Sequence, residues 1–108
     1  MRKEDLLQKT FEKLEKDGIQ IDILQLRKIF ETILICIKES LIEGNHIEIR
    51  GFGTFLVRDR SNRTAWNPVK REKFKVEGKK VPYFKAGTIF KKEILQGHLF
   101  EDKEDMEG

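Results

Sequence analysis

The sequence predicts an α+β protein that acts as a dimer and carries a protruding two-stranded β-ribbon. Three observations lead there. Residues 3–16, 23–43 and 88–96 place apolar side chains at helical spacing. Short runs between the second and third of these, Ile47-Glu48-Ile49-Arg50 and Phe55-Leu56-Val57, have the alternation and branched side chains of strands. The stretch from Arg58 to Phe84, RDRSNRTAWNPVKREKFKVEGKKVPYF, is rich in cations and poor in apolar residues as far as Lys80. A ribbon with so little to bury is marginal in water alone. It is expected to project from a body and to become ordered on a partner.

The first helix carries Leu6, Leu7, Phe11 and Leu14, with acids at its front and Lys16 near its end, as the helix dipole favours. Asp17-Gly18 supplies its stop. Asp22 is suited to cap a second helix that runs to Gly44. That helix holds Leu26, Ile29, Phe30, Ile33, Leu34, Ile37 and Leu41, joined by Ile23, Ile35, Cys36 and Ile42, an arc too wide for one neighbour. A chain of 108 residues has little else to cover it. The helices are therefore expected to pack across a two-fold axis, with Phe30, Ile33 and Ile37 in the dimer core.

Gly44-Asn45-His46 turns into the first strand, and Gly51-Phe52-Gly53-Thr54 reads as a break before a strand that begins at Phe55. Glycines on both sides of Phe52 imply a tight turn or bulge that sends its ring inward. Phe52, Phe55 and Phe84 are accordingly assigned to the core or dimer interface. The arm, about residues 58–80, has its expected tip at Ala65-Trp66-Asn67-Pro68-Val69. Its first limb presents Arg58, Arg60 and Arg63; its return limb presents Lys70, Arg71, Lys73, Lys75, Lys79 and Lys80. Val81-Pro82-Tyr83-Phe84 returns to the body, and Lys85-Ala86-Gly87 leads into a last helix that Gly97 ends. Residues 1–97 thus read as one domain, and 98–108 as an acidic tail without fixed structure. No internal repeat or long linker appears.

The formal charge of +3 conceals a division. From Arg50 to Lys92 there are thirteen basic residues against three acidic ones, while the rest of the chain is net acidic. A merely solvated lysine face would not need that concentration, so a polyanion, in particular nucleic acid, is the expected partner. One cysteine excludes an internal disulfide and favours a reducing compartment, and Cys36, set among isoleucines, is expected to be buried and inert. No stretch has the roughly 18 uninterrupted apolar residues of a membrane span, and Met1-Arg2-Lys3-Glu4-Asp5 turns acidic before any apolar run. A soluble cytoplasmic protein without membrane contact is expected. His46 and His98 stand apart from any metal-ligand spacing, and neither a glycine-rich phosphate loop nor a nucleophile elbow is present. No enzyme activity, metal, cofactor or small-molecule substrate is expected.

Gly51-Phe52-Gly53-Thr54-Phe55, followed in order by Arg60, Arg63-Thr64, Asn67-Pro68 and Val81-Pro82-Tyr83-Phe84-Lys85-Ala86-Gly87, resembles the HU/integration host factor family of bacterial DNA-bending proteins over nearly the whole chain. The resemblance implies an intertwined dimer, of like chains or with a paralogue, with a helical base under a saddle of antiparallel sheet. It also implies that two β-arms embrace double-stranded DNA through the minor groove, that the protein is nucleoid-associated and condenses or shapes the chromosome, and that an arm-tip proline, here Pro68, inserts between base pairs. Charge and resemblance together assign DNA contacts to Arg58, Arg60, Arg63, Thr64, Trp66, Asn67, Pro68, Lys70, Arg71, Lys73, Lys75, Lys79, Lys80 and Lys85.

Pro68 suits a wedge because it is apolar, rigid and has no backbone N–H to satisfy. Arginine suits a narrow minor groove, and each cation that meets a phosphate releases counterions. Trp66 is expected to stack on a sugar or base rather than to cap the tip in solvent. Lys3, Lys85, Lys91 and Lys92 either extend the phosphate track or are ordinary solvated lysines. The chain departs from the family in four places. Ala65 stands where a glycine is usual, Trp66 where a basic residue is, and Val69-Lys70-Arg71 where Gln-Thr-Gly is common. The region before Asp22 is longer, and the acidic tail is unusual. A site-specific bender like integration host factor is the alternative function. An RNA-binding protein is a weaker one, because the wide, shallow minor groove of A-form RNA does not match a wedge.

Overall fold

The computed structural model describes residues 1–100, so the acidic run 101–108 of the expected tail lies outside the described residues. The chain divides into two compact units, Met1–Glu39 and the remainder from Ser40.

The first unit holds helix α1 (Lys3–Lys16) and most of helix α2 (Ile23–Ile42). The expected signals set these limits. The Asp5 carboxylate accepts from the Arg2 N–H at 2.9 Å, satisfying a donor ahead of the first turn of α1. At the other end, Gly18 takes φ +76°, its N–H donates to the Glu15 carbonyl, and the Ile19 N–H donates to the Leu14 carbonyl at 2.9 Å. This is the paired closure that a left-handed residue after the helix permits. Asp22 caps α2 as expected: its Oδ1 accepts from the Leu24 N–H at 3.3 Å, and Gln25 Oε1 accepts from the Asp22 N–H at 3.4 Å. The same closure recurs at Gly44, with φ +90°. The two helices are linked by Lys3 Nζ to Glu31 at 3.0 Å and by Arg27 to Glu4. The hydrogen bond from Lys3, then its charge, hold the Glu31 carboxyl below the usual carboxylate range.

Among the described residues only Leu7 and Leu26 are buried apolar side chains. The wide arc of α2 is not covered by one neighbour: Ile29, Ile33 and Ile35 are each about half exposed, and Phe30 and Ile37 are half-buried. Cys36, expected to be buried, is exposed in the single chain for the same reason.

The second unit contains a three-stranded antiparallel sheet of β1 (Ile47–Ile49), β2 (Gly53–Asp59) and β5 (Lys80–Ala86), in the order β1-β2-β5. A separate two-stranded ribbon is formed by β3 (Arg63–Asn67) and β4 (Glu72–Val76), and helix α3 (Thr88–Gln96) follows β5. Strand β2 begins at Gly53 rather than at Phe55. The Phe52 N–H donates to the Ile49 carbonyl at 3.0 Å, with Gly51 at φ +80°, so the chain reverses within four residues and Gly53 already pairs with Ile49 and Ala86. Gly53 is buried, and a Cβ there would lie 2.5 Å from the Lys85 carbonyl and 2.6 Å from the Phe84 ring. Its smallness admits four phenylalanines. Phe52 stacks on Phe90 at 5.2 Å, and Phe84 meets both Phe52 and Phe55 at 4.9 Å. Even so, Phe52 is 40% exposed, and Phe55 and Phe84 are only half-buried.

Candidate nucleic-acid interface

The cationic residues expected to meet DNA fall into three zones of the second unit. The outermost is the β3–β4 ribbon, whose register pairs Arg63 with Val76, Thr64 with Lys75, Ala65 with Phe74, Trp66 with Lys73 and Asn67 with Glu72. Directly paired residues share a face, and faces alternate along a strand. One face therefore carries Thr64, Trp66, Lys73 and Lys75. The other carries an apolar strip of Ala65, Phe74 and Val76, flanked by Arg63, Asn67 and Glu72.

The tip lies at Pro68–Arg71, later than expected, because Ala65, Trp66 and Asn67 are all paired strand residues. Asn67 organises it: its Oδ1 accepts from the Val69 N–H at 3.0 Å and the Lys70 N–H at 3.2 Å. Arg71 closes the turn with φ +53°, the one left-handed non-glycine residue among those described. Pro68 and Val69 stand exposed at the end, Val69 at 90%. An apolar, donor-poor tip at the end of a cationic lever has the chemistry of a wedge.

The second zone is a neck, residues 60–62 against 77–79, where regular pairing lapses. The Arg60 N–H donates to the Lys79 carbonyl at 2.8 Å, and the Gly78 N–H donates to Asn62 Oδ1. A Cβ on Gly78 would sit 1.8 Å from the Arg60 carbonyl oxygen, so only glycine permits this crossing.

The third zone is the three-stranded sheet. Arg58 and Lys80, expected on the arm, belong here: Arg58 pairs with Val81 and Lys80 with Asp59. The Phe55–Phe84 pair defines the aromatic face, so Arg58, Tyr83 and Lys85 lie on the opposite one. There the Arg58 guanidinium lies 3.6 Å over the Tyr83 ring, which holds a long, mobile side chain in place. Lys85 is exposed beside Thr54. Lys3 lies in the first unit and is engaged by Glu31, while Lys91 and Lys92 are exposed on α3. Among the described residues no group of three or more His, Cys, Asp or Glu is arranged to hold a metal ion, and no helix is long and apolar enough to cross a membrane.

Three contributors are not evident in the sequence: Asn62, Gly78 and Tyr83. Asn62 and Gly78 give only a loop signal. Tyr83 is found only from register, which sets it diagonal to Arg58.

Comparison with known proteins agrees with this arrangement. The family model described as bacterial DNA-binding protein matches residues 1–95. The chain is 34% identical over 94 residues to integration host factor subunit beta of Colwellia psychrerythraea, covering 87% of this chain and 95% of that protein. It is 41% identical over 76 residues to the same subunit of Bordetella petrii, covering 69% of this chain and 64% of that protein. Among solved structures it is similar to an Anabaena HU–DNA cocrystal structure, with TM-score 0.72, 29% identity, and coverage of 87% of this chain and 97% of that one. It is also similar to an HU variant from Thermotoga maritima, with TM-score 0.58, 32% identity, and coverage of 87% and 99%. The chain belongs to the HU/integration host factor family of bacterial DNA-binding proteins.

Proposed function

We propose that this protein is an architectural, non-catalytic DNA-binding protein of the nucleoid. As a dimer it grips the minor groove of duplex DNA with two arms and bends it by inserting Pro68. The observation that carries the reading is the β3–β4 ribbon itself, a cationic lever ending in the exposed apolar pair Pro68-Val69. Arg60, Arg63, Lys70, Arg71, Lys73, Lys75 and Lys79 track phosphates or enter the groove from the ribbon and its neck; Arg58, Lys80 and Lys85 do so from the sheet. Thr64 and Trp66 meet the DNA from the lysine face, and Asn67 sets the tip that presents Pro68. The exposed apolar arc of α2, with Phe30, Ile33 and Ile37, and the half-covered rings of Phe52, Phe55 and Phe84 meet a second subunit. Opening a base step costs a few kcal/mol, offset by the extra backbone contacts that a bent duplex allows.

Two measurements test this reading. Duplex DNA is expected to displace labelled duplex DNA far better than duplex RNA of equal length, and equal competition would remove the minor-groove reading. Pro68→Ala is expected to reduce the bend angle more than the affinity; unchanged bending would leave Pro68 as a turn residue only. The similarity to integration host factor subunits favours a second reading, a site-specific bender paired with a paralogue. Selection of one preferred sequence from a pool of random duplexes would support it. Minor-groove donors and acceptors distinguish A·T from G·C poorly, so weak selection is expected.

A further inference from the structure

We infer that Trp66 is a base-stacking residue, holding one base of the step that the arm opens while Lys73 and Lys75 neutralise the phosphates beside it. The inference rests on the DNA-binding reading above and adds a second inserting group to Pro68. Trp66 is 58% exposed, yet it lies within strand β3 rather than in the tip, so its direction is fixed by the sheet. Register sets Lys73 directly across from it, and Thr64 and Lys75 form the next pair on the same face. The apolar strip of the ribbon, Ala65, Phe74 and Val76, is on the opposite face. An indole that served to hold the ribbon together would lie with that strip. This one lies among cations, the combination by which exposed aromatic rings stack on bases while neighbouring charges follow the phosphate chain. Trp66 is also two residues from Pro68, so both reach the same stretch of duplex.

Trp66 is the only tryptophan of the chain, so its emission reports from this site alone. Full-length protein is titrated with a duplex of roughly 35 base pairs, well below the persistence length of DNA, while a gel shift records binding. Stacking on a base is expected to quench the emission by more than half at saturation. Trp66→Phe is expected to keep most of the affinity, and Trp66→Ala to lose roughly ten-fold, within the range for a stacked base. Trp66→Lys is expected to fail as a rescue although it adds charge. A blue-shifted, unquenched emission would overturn the inference, since it reports burial without stacking. So would tighter binding by Trp66→Lys, which would make the position a phosphate contact. Binding and bending without quenching would sink this inference alone, whereas no shift of the duplex by the unaltered protein would sink the DNA-binding reading with it.

Discussion

Arg71 holds a backbone conformation that costs a side-chain-bearing residue about 1–2 kcal/mol relative to glycine. It keeps that conformation because the β3–β4 pairing and the two hydrogen bonds to Asn67 fix the turn around it. Arg71→Gly is therefore expected to stabilise the hairpin by about 1 kcal/mol, read as roughly five-fold slower amide exchange across Asn67–Glu72. Unchanged or faster exchange would mean that the tip does not adopt this turn. Removal of a cation should at the same time weaken DNA binding slightly, so the two effects separate by assay. Tyr83 is open to a similar test. Its ring restrains Arg58 by an exposed cation–π contact of about 0.5–1 kcal/mol. Tyr83→Leu is expected to lower DNA affinity two- to five-fold, and Tyr83→Phe to leave it unchanged. An equal decrease in both variants would assign the effect to the hydroxyl instead.

The elements differ in how openly the sequence declares them. Helices α1, α2 and α3 are legible nearly to the residue, because apolar spacing, Asp22 and the stops at Gly18, Gly44 and Gly97 all agree. Strand β2 starts two residues before its sequence signal. Gly51 and Gly53 look alike as chain breakers, but the first makes the turn and the second is a buried strand position under Phe84. The arm tip lies later than expected because Asn67 is still a paired strand residue, and Val69-Lys70-Arg71 closes the turn after Pro68 without the glycine that usually marks such a turn. The division of the ribbon into a lysine face and an apolar face follows from register, which depends on where that turn lies. Gly78→Ala forces a Cβ against the Arg60 carbonyl and is expected to disorder the neck. Helix content should stay constant by circular dichroism while DNA bending falls; full retention of bending would show that the neck does not set the arm. Replacing Lys73 and Lys75 with Ala is expected to weaken binding across all sequences and to shallow the salt dependence by roughly 0.9 for each phosphate that is no longer neutralised. An effect confined to one sequence would contradict a generic backbone role.

The described residues are short of core. Leu7 and Leu26 are the buried apolar residues among those described, while Ile29, Ile33, Ile35 and Phe52 keep two-fifths or more of their surface exposed. A partner subunit is the remedy that the sequence already requires, and the exposed arc on α2 gives that requirement its surface. Ile33→Asp places a charge on that surface and is expected to remove most helical signal, whereas the unaltered protein is expected to melt at a temperature that rises with its concentration. A melting temperature of the unaltered protein that does not change with concentration would contradict the dimer. Bending of duplex DNA by the two arms is read by end-to-end energy transfer on a duplex of roughly 35 base pairs, short against the persistence length of DNA. Protein is titrated at two salt concentrations, with a scrambled duplex alongside. A salt-sensitive rise in transfer on both duplexes is the predicted result. Saturated binding with no rise on either duplex would contradict it, leaving a basic protein that holds DNA without bending it.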